Sequence, residues 1–259
     1  MGKAIAIFNQ KGGVGKTTTN INLAACLAQK NKKILVLDID PQGNTTSGLG
    51  FNKKELELTS YDLLIDDEID PYMTIYHCQQ EGLDIIPASI DLAGAEIELV
   101  RLEGREQRLK HALYKIRDSY DYIFIDCPPS LGLLTINALT AVDSVLIPIQ
   151  CEFYALEGVS QLVSTINIVR QSMNPELEIE GVILSMFDGR TNLSIQVVDE
   201  VKKYFGPKLY TTVIPRNVRL AEAPSYGLPI TEYDPRSKGA LAYEAFAEEF
   251  LSTEGHHGI

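Results

Sequence analysis

"KAIAIFNQKGGVGKTTTN" (residues 3–20) decides the fold. Its first six residues form an apolar run of strand character. Glycines at 12, 13 and 15 then break it, and Lys16-Thr17 opens a stretch in which Ile21, Ala24, Ala25, Leu27 and Ala28 recur at helical spacing. A glycine loop directly between a strand and a helix is the context in which backbone can cradle phosphate. Glycine lets the chain turn so that successive N–H groups converge on oxygens, and the helix N-terminus adds its positive dipole end. The stretch therefore predicts a phosphate site of Gly12, Gly13, Val14, Gly15, Lys16, Thr17 and Thr18. Lys16 would neutralise the β- and γ-phosphates of a nucleotide, and the Thr17 hydroxyl would ligate Mg²⁺.

Outward from this loop, apolar runs and helical patterns alternate to the end of the chain. Strands are expected at 3–8, 32–40, 82–88, 120–128, 144–150, 179–187 and 209–215, with helices over about 16–30, 156–173 and 238–251. Strands apolar on both faces and separated by helices imply a doubly wound, mainly parallel α/β sheet covered on both sides. No linker or repeat breaks the pattern, so a single domain is expected over 1–251, with 252–259 a disordered tail. The polar stretch 52–82, with "DDEIDP" at 66–71, reads as a surface insertion.

Composition narrows the class. The 259 residues are 45% hydrophobic, enough to bury a full core. No apolar stretch reaches the roughly 20 residues of a membrane span, and the N-terminus lacks the form of a signal peptide, so a cytoplasmic protein is expected. Cys26, Cys78, Cys127 and Cys151 have no metal-ligand spacing and read as free buried thiols. A net charge of −12 argues against a generally basic nucleic-acid binder. A local exception lies within 186–220, where six basic residues face three acidic ones, a net of +3.

Two further stretches carry chemistry. "YIFIDCPPS" (122–130) is an apolar strand ending in Asp126, placed to hold Mg²⁺ through a bound water, since that ion keeps much of its hydration shell. Pro128 and Pro129 stiffen the turn that follows. "LVLDIDPQGNTTSGLG" (35–50) puts Asp38 and Asp40 at the end of another strand beside the phosphates, where only one is expected to face the site squarely. Lys11 is a separate problem. It stands five residues before Lys16, where the loop leaves the strand, and cannot easily curl back onto its own γ-phosphate. On position alone it is either a solvated lysine or one that points across a face at a second subunit's nucleotide.

"KGGVGKTT" resembles the deviant Walker A motif of the P-loop ATPase class that includes ParA/Soj partition ATPases, MinD and the nitrogenase iron protein. The resemblance implies that Lys11 contacts nucleotide across a dimer of two facing loops, so that hydrolysis depends on dimerisation. "DIDPQGNTTSGLG", "CPPSLGLLTINAL", "ALEGVSQL" and "IPRNVRLAEAPSYGLPI" narrow it to ParA/Soj, over roughly residues 1–250. In that family "DIDPQGN" is switch I, whose second aspartate, here Asp40, helps place the attacking water. Asp38 would then be structural or outer-shell. Pro215 and Asn217 match adenine contacts, proline by packing and asparagine through its amide. Arg190 and Arg219 match DNA-contacting arginines, while Arg216, Lys202 and Lys203 are their neighbours in sequence.

The resemblance further implies an ATP-bound homodimer on the nucleoid that binds double-stranded DNA without sequence preference. A ParB-like centromere-binding partner would release it by stimulating hydrolysis. Dimerisation doubles the phosphate contacts, and affinity changes by roughly 0.9 log units per contact with each decade of salt, so ATP can gate binding in an otherwise acidic chain. The cysteines do not reproduce the iron protein's cluster pattern. The C-terminal helix, acidic through Glu244, Glu248 and Glu249, is unsuited to an anionic membrane, so no membrane association is expected. Because the chain opens on its first strand, no operator-reading extension is expected. A ParA-like ATPase positioning another cargo, such as a protein cluster, or a division-site regulator, is the alternative.

Overall fold

The computed structural model describes residues 1–151, 155–190 and 192–254. Among them eight strands form one sheet: β1 (Lys3–Ile7), β2 (Ile34–Asp38), β3 (Tyr76–His77), β4 (Leu83–Ile86), β5 (Tyr122–Asp126), β6 (Ser144–Gln150), β7 (Glu178–Phe187) and β8 (Leu209–Pro215). Their order is β3-β4-β2-β5-β1-β6-β7-β8. Only β3 is antiparallel to its neighbour. The helices are α1 (Lys16–Gln29), α2 (Asn44–Gly48), α3 (Ser60–Ile65), α4 (Leu92–Leu99), α5 (Arg108–Ile116), α6 (Leu133–Ala141), α7 (Ala155–Ser172), α8 (Asn192–Phe205), α9 (Val218–Glu222), α10 (Ile230–Tyr233) and α11 (Lys238–Glu254).

Strand pleating divides the core in two. Ile5, Ile7, Ile34, Val36 and Phe124 face one side, against Leu23 and Leu27 of α1 and Tyr243, Phe246 and Phe250 of α11. Ala4, Ala6, Leu35, Leu37, Ile123 and Ile125 face the other, against α3 to α8. The doubly wound, mainly parallel sheet expected from the apolar runs is therefore present, and the phosphate loop leaves its middle at the carboxyl end of β1. Ligands of such sheets bind outside the carboxyl ends of the strands.

Three expectations need correction. The stretch 52–82 is more than a surface insertion, because it supplies β3 to the sheet edge and α3 to the core, where Leu63 and Leu64 are buried. Buried Arg108 of α5 ties α3 down through the carbonyls of Leu64 and Ile65 and the carboxylate of Asp67. The last helix runs to Glu254 rather than ending at 251. Of the tail expected to be disordered, 255–259 lie outside the described residues. Cys26, Cys127 and Cys151 are free and buried as expected, but Cys78 is only half-buried.

Candidate functional site

The loop between β1 and α1 is shaped by Gly13 (φ 74°) and Gly15 (φ 91°), both in the left-handed region that favours glycine. A Cβ built on Gly12 or Gly13 would meet no atom within 4 Å, so the loop backbone borders open space. Ser185, at the end of β7, steadies it from beneath by donating to the Val14 carbonyl at 2.7 Å. Lys16 opens α1 and is almost wholly buried, with its ammonium 3.4 Å from the Lys11 carbonyl. Burial lowers its pKa, while the charges of Asp126, Cys127 and Asp40 act in the opposite sense. Lys11 itself is half-buried, and its N–H donates to Asn9 Oδ1 at 3.0 Å.

Asp126, whose charge acts on Lys16, and Asp38 are two fully buried carboxylates paired across β2 and β5. The pleat puts both on the α1 side of the sheet, with Ile34, Val36 and Phe124. Asp40 follows two positions after Asp38, and its charge acts on both Lys16 and Asp126. Asp40 lies two residues beyond the end of β2, so the pleat that orients Asp38 does not orient it. Asp38 Oδ2 accepts the Thr46 N–H at 2.8 Å and the Thr46 hydroxyl at 2.7 Å, and its Oδ1 accepts the Asp40 N–H at 3.2 Å. Asp40 turns the chain by accepting the Gln42 N–H at 2.9 Å. Asp126 Oδ2 accepts the hydroxyls of Thr17 at 2.7 Å and Thr45 at 2.8 Å. Burial pushes both Asp38 and Asp126 up, and the Asp126 charge adds to the rise at Asp38.

Asp126 Oδ1 is buried and has no hydrogen-bond partner among the described residues. An orphaned carboxylate oxygen beside Thr17 and a buried lysine is what a hydrated divalent cation satisfies, so Thr17 and Asp126 fit Mg²⁺.

A pocket of about 340 Å³ continues from the loop, lined among others by Thr18, Ser185, Met186, Pro215 and Asn217. Pro215 and Asn217, the residues that the resemblance assigns to adenine, both line this pocket. Asn217 Oδ1 caps α9 by accepting the Arg219 N–H at 2.8 Å, which leaves its amide nitrogen as donor. Met186 holds φ 51°, uncommon for a residue with a side chain. Tyr243 of α11 is buried with its hydroxyl 3.2 Å from that of Thr19.

The basic residues are placed differently. Arg190 is 89% exposed and makes a two-pronged contact with Asp188, at 2.8 and 2.6 Å. Arg219 reaches Glu222 at 2.9 Å and Asp234 at 3.4 Å. Lys203 pairs with Glu200 at 2.6 Å, and Lys202 and Arg216 are exposed. Three of the six basic residues of 186–220 thus have acidic partners, Arg190 and Lys203 within the segment and Arg219 beyond it.

Sequence reading missed Thr45, Thr46, Ser185 and Tyr243. The first two stood inside the quoted "GNTTSG", but hydroxyls in a five-residue helix reveal no partner 81 residues away. Nothing in the sequence marked the others.

A family model described as "AAA domain" matches residues 2–179. The chain is 64% identical to the sporulation initiation inhibitor protein Soj of Bacillus subtilis, over 96% of this chain and 98% of that protein. It is 52% identical to the chromosome partitioning protein ParA of Myxococcus xanthus, over 98% and 89%. Among solved structures, cobyrinic acid a,c-diamide synthase of Mycobacterium smegmatis with bound ADP and magnesium superposes with a TM-score of 0.85 at 37% identity, over 97% and 94%. The chain belongs to the Soj/ParA family of P-loop ATPases.

Proposed function

From that membership we propose that the chain is a partitioning ATPase that binds MgATP, pairs with a second copy of itself and holds DNA without sequence preference until hydrolysis releases it. The observation that carries the chemistry is Asp126, whose Oδ2 is committed to two hydroxyls while Oδ1 is open beside Lys16 and Thr17. The loop amides and Lys16 would hold the phosphates, and Pro215 and Asn217 the base. Bound at Thr17 and Asp126, Mg²⁺ would supply charge neutralisation to the transferring phosphoryl group. Asp40 orients a water toward the γ-phosphorus. Lys11, at the loop mouth, serves the nucleotide of the opposite subunit, which makes unaided turnover slow.

Arg190 and Arg219 supply phosphate contacts, with Arg216, Lys202 and Lys203 near them, and a ParB-like centromere-binding partner accelerates hydrolysis. Such a protein works in the cytoplasm, on the nucleoid. Among the described residues no helix is long and apolar enough to cross a membrane.

The test is binding to a random-sequence duplex with ATP, with ADP and without nucleotide, over a salt series. Binding with ATP alone, with a steep salt slope that Arg219→Glu flattens, is expected. Binding in no state, with ATP-dependent pairing intact, would remove DNA from the proposal and leave a protein surface as cargo.

A further inference from the structure

The helix α2 carries two consecutive buried threonines, and each is tied to a different carboxylate. Thr46 gives both its N–H and its hydroxyl to Asp38, and its hydroxyl oxygen accepts the Ala88 N–H at 2.9 Å. That anchor joins α2 to the ends of β2 and β4 and touches no group assigned to metal or phosphate. Thr45 donates to Asp126 Oδ2 at 2.8 Å and accepts from Asn20 Nδ2 at 3.3 Å, with Asn20 itself buried in α1. Asp126 Oδ2 therefore receives one hydroxyl from the phosphate loop and one from the segment after Asp40, while among the described residues Oδ1 receives none. A carboxylate with both donors on one oxygen is held against rotation about its Cβ–Cγ bond, and the other oxygen is kept presented to the site.

We propose that Thr45 is a positioning residue for magnesium, and that through it residues 41–50 sense whether the metal is bound at Asp126. The inference rests on reading Asp126 as the magnesium carboxylate. Groups that orient a metal's ligand typically change metal affinity 10–100-fold when removed. Because one hydroxyl links both events, coupling is reciprocal: metal that fixes Asp126 also fixes Thr45, and an ordered α2 raises metal affinity by the same factor. Thr46, one residue on but bonded to Asp38, is the internal control.

The experiment uses the full chain saturated with ADP and titrated with MgCl₂. Calorimetry gives the Mg²⁺ midpoint, and hydrogen exchange follows the peptide covering 41–50. In the unsubstituted chain Mg²⁺ should slow exchange in that peptide. Thr45→Val should weaken Mg²⁺ about tenfold or more and abolish the Mg²⁺-dependent protection, and Thr45→Ser should restore both. Thr46→Val should raise exchange overall yet keep the Mg²⁺-dependent difference.

Should Thr45→Val not fold, Thr45→Cys replaces it. Its weakly donating thiol should move the Mg²⁺ midpoint to weaker binding than that of the unsubstituted chain and reduce the Mg²⁺-dependent protection. A midpoint and protection unchanged in Thr45→Val, or in Thr45→Cys where that stands in, would overturn the inference while leaving the magnesium site intact. No Mg²⁺ effect in the unsubstituted chain would sink the assignment of Asp126 itself, and the role of Thr45 with it.

Discussion

The phosphate end of the site and the basic surface around Arg190 and Arg219 are built on opposite principles. At the phosphate end, Lys16, Asp38 and Asp126 are buried, the two hydroxyls on Asp126 come from 81 and 109 residues away, and one carboxylate oxygen is left over among the described residues. On the surface, the arginines are half to nearly fully exposed, and their partners lie two, three and fifteen residues away. Burial makes charge expensive unless it is matched, so groups at the phosphate end have few roles open to them. Exposed ion pairs contribute little to the folded state and can exchange partners, so the surface is organised for a ligand that competes with its acids.

The largest effects should fall at the buried end. Lys16→Ala should lower ATP turnover at least 10²–10³-fold, the scale for losing a preorganised electrostatic group. Asp40→Ala should leave nucleotide binding near that of the unsubstituted chain while stopping hydrolysis and trapping the ATP-bound pair. Steady-state turnover together with equilibrium nucleotide binding checks both. Normal hydrolysis by Asp40→Ala would break the assignment of water placement to that residue.

A smaller effect is expected from pH. Burial, and then the charge of Asp126, push Asp38 up to about 7, above its ordinary 3.8. The folded chain therefore holds a proton that the unfolded chain releases near pH 4. The stability linked to this proton is complete below pH 4 and is lost as pH rises toward about 7. Asp38→Asn removes the titration. Whatever its offset from losing an acceptor for Thr46, its melting temperature relative to the unsubstituted chain should climb between pH 4 and 7 and level off above. A flat difference across that window, in nucleotide-free and metal-free buffer, would show that Asp38 is not strained.

What could be read from the sequence follows the same division. The glycine loop, Lys16, Thr17 and Asp126 were legible because a strand, a turn and a helix start fix them locally. Asp38 and Asp40 were legible as residues but their different settings were not, since Asp38 ends β2 and Asp40 lies in the turn beyond it. Thr45 was not legible, because its meaning comes from a carboxylate 81 positions downstream. The two-residue strand β3 is too short for a periodic signal. The pairing of Arg190 with Asp188 and of Arg219 with Glu222 could have been anticipated from spacing alone, and it qualifies the basic excess counted there.

The smallest effect sharpens the contrast from the surface side. Asp188→Asn should free Arg190 without a measurable change in melting temperature. If Arg190 is a phosphate contact, the same change should tighten duplex binding and steepen the salt slope by about one. An unchanged slope would mean that Arg190 never leaves its loop.

The packing of α11 along α1 has a consequence for the chain as it is made. The phosphate loop and α1 are complete by residue 29, but Tyr243, Phe246 and Phe250, which help to cover the α1 side of the sheet, are more than 200 residues away. At about 5–20 residues per second, the ribosome leaves that apolar face open for roughly 10–40 s. The nucleotide-binding end is thus the first part of the molecule to be synthesised and among the last to be sheltered.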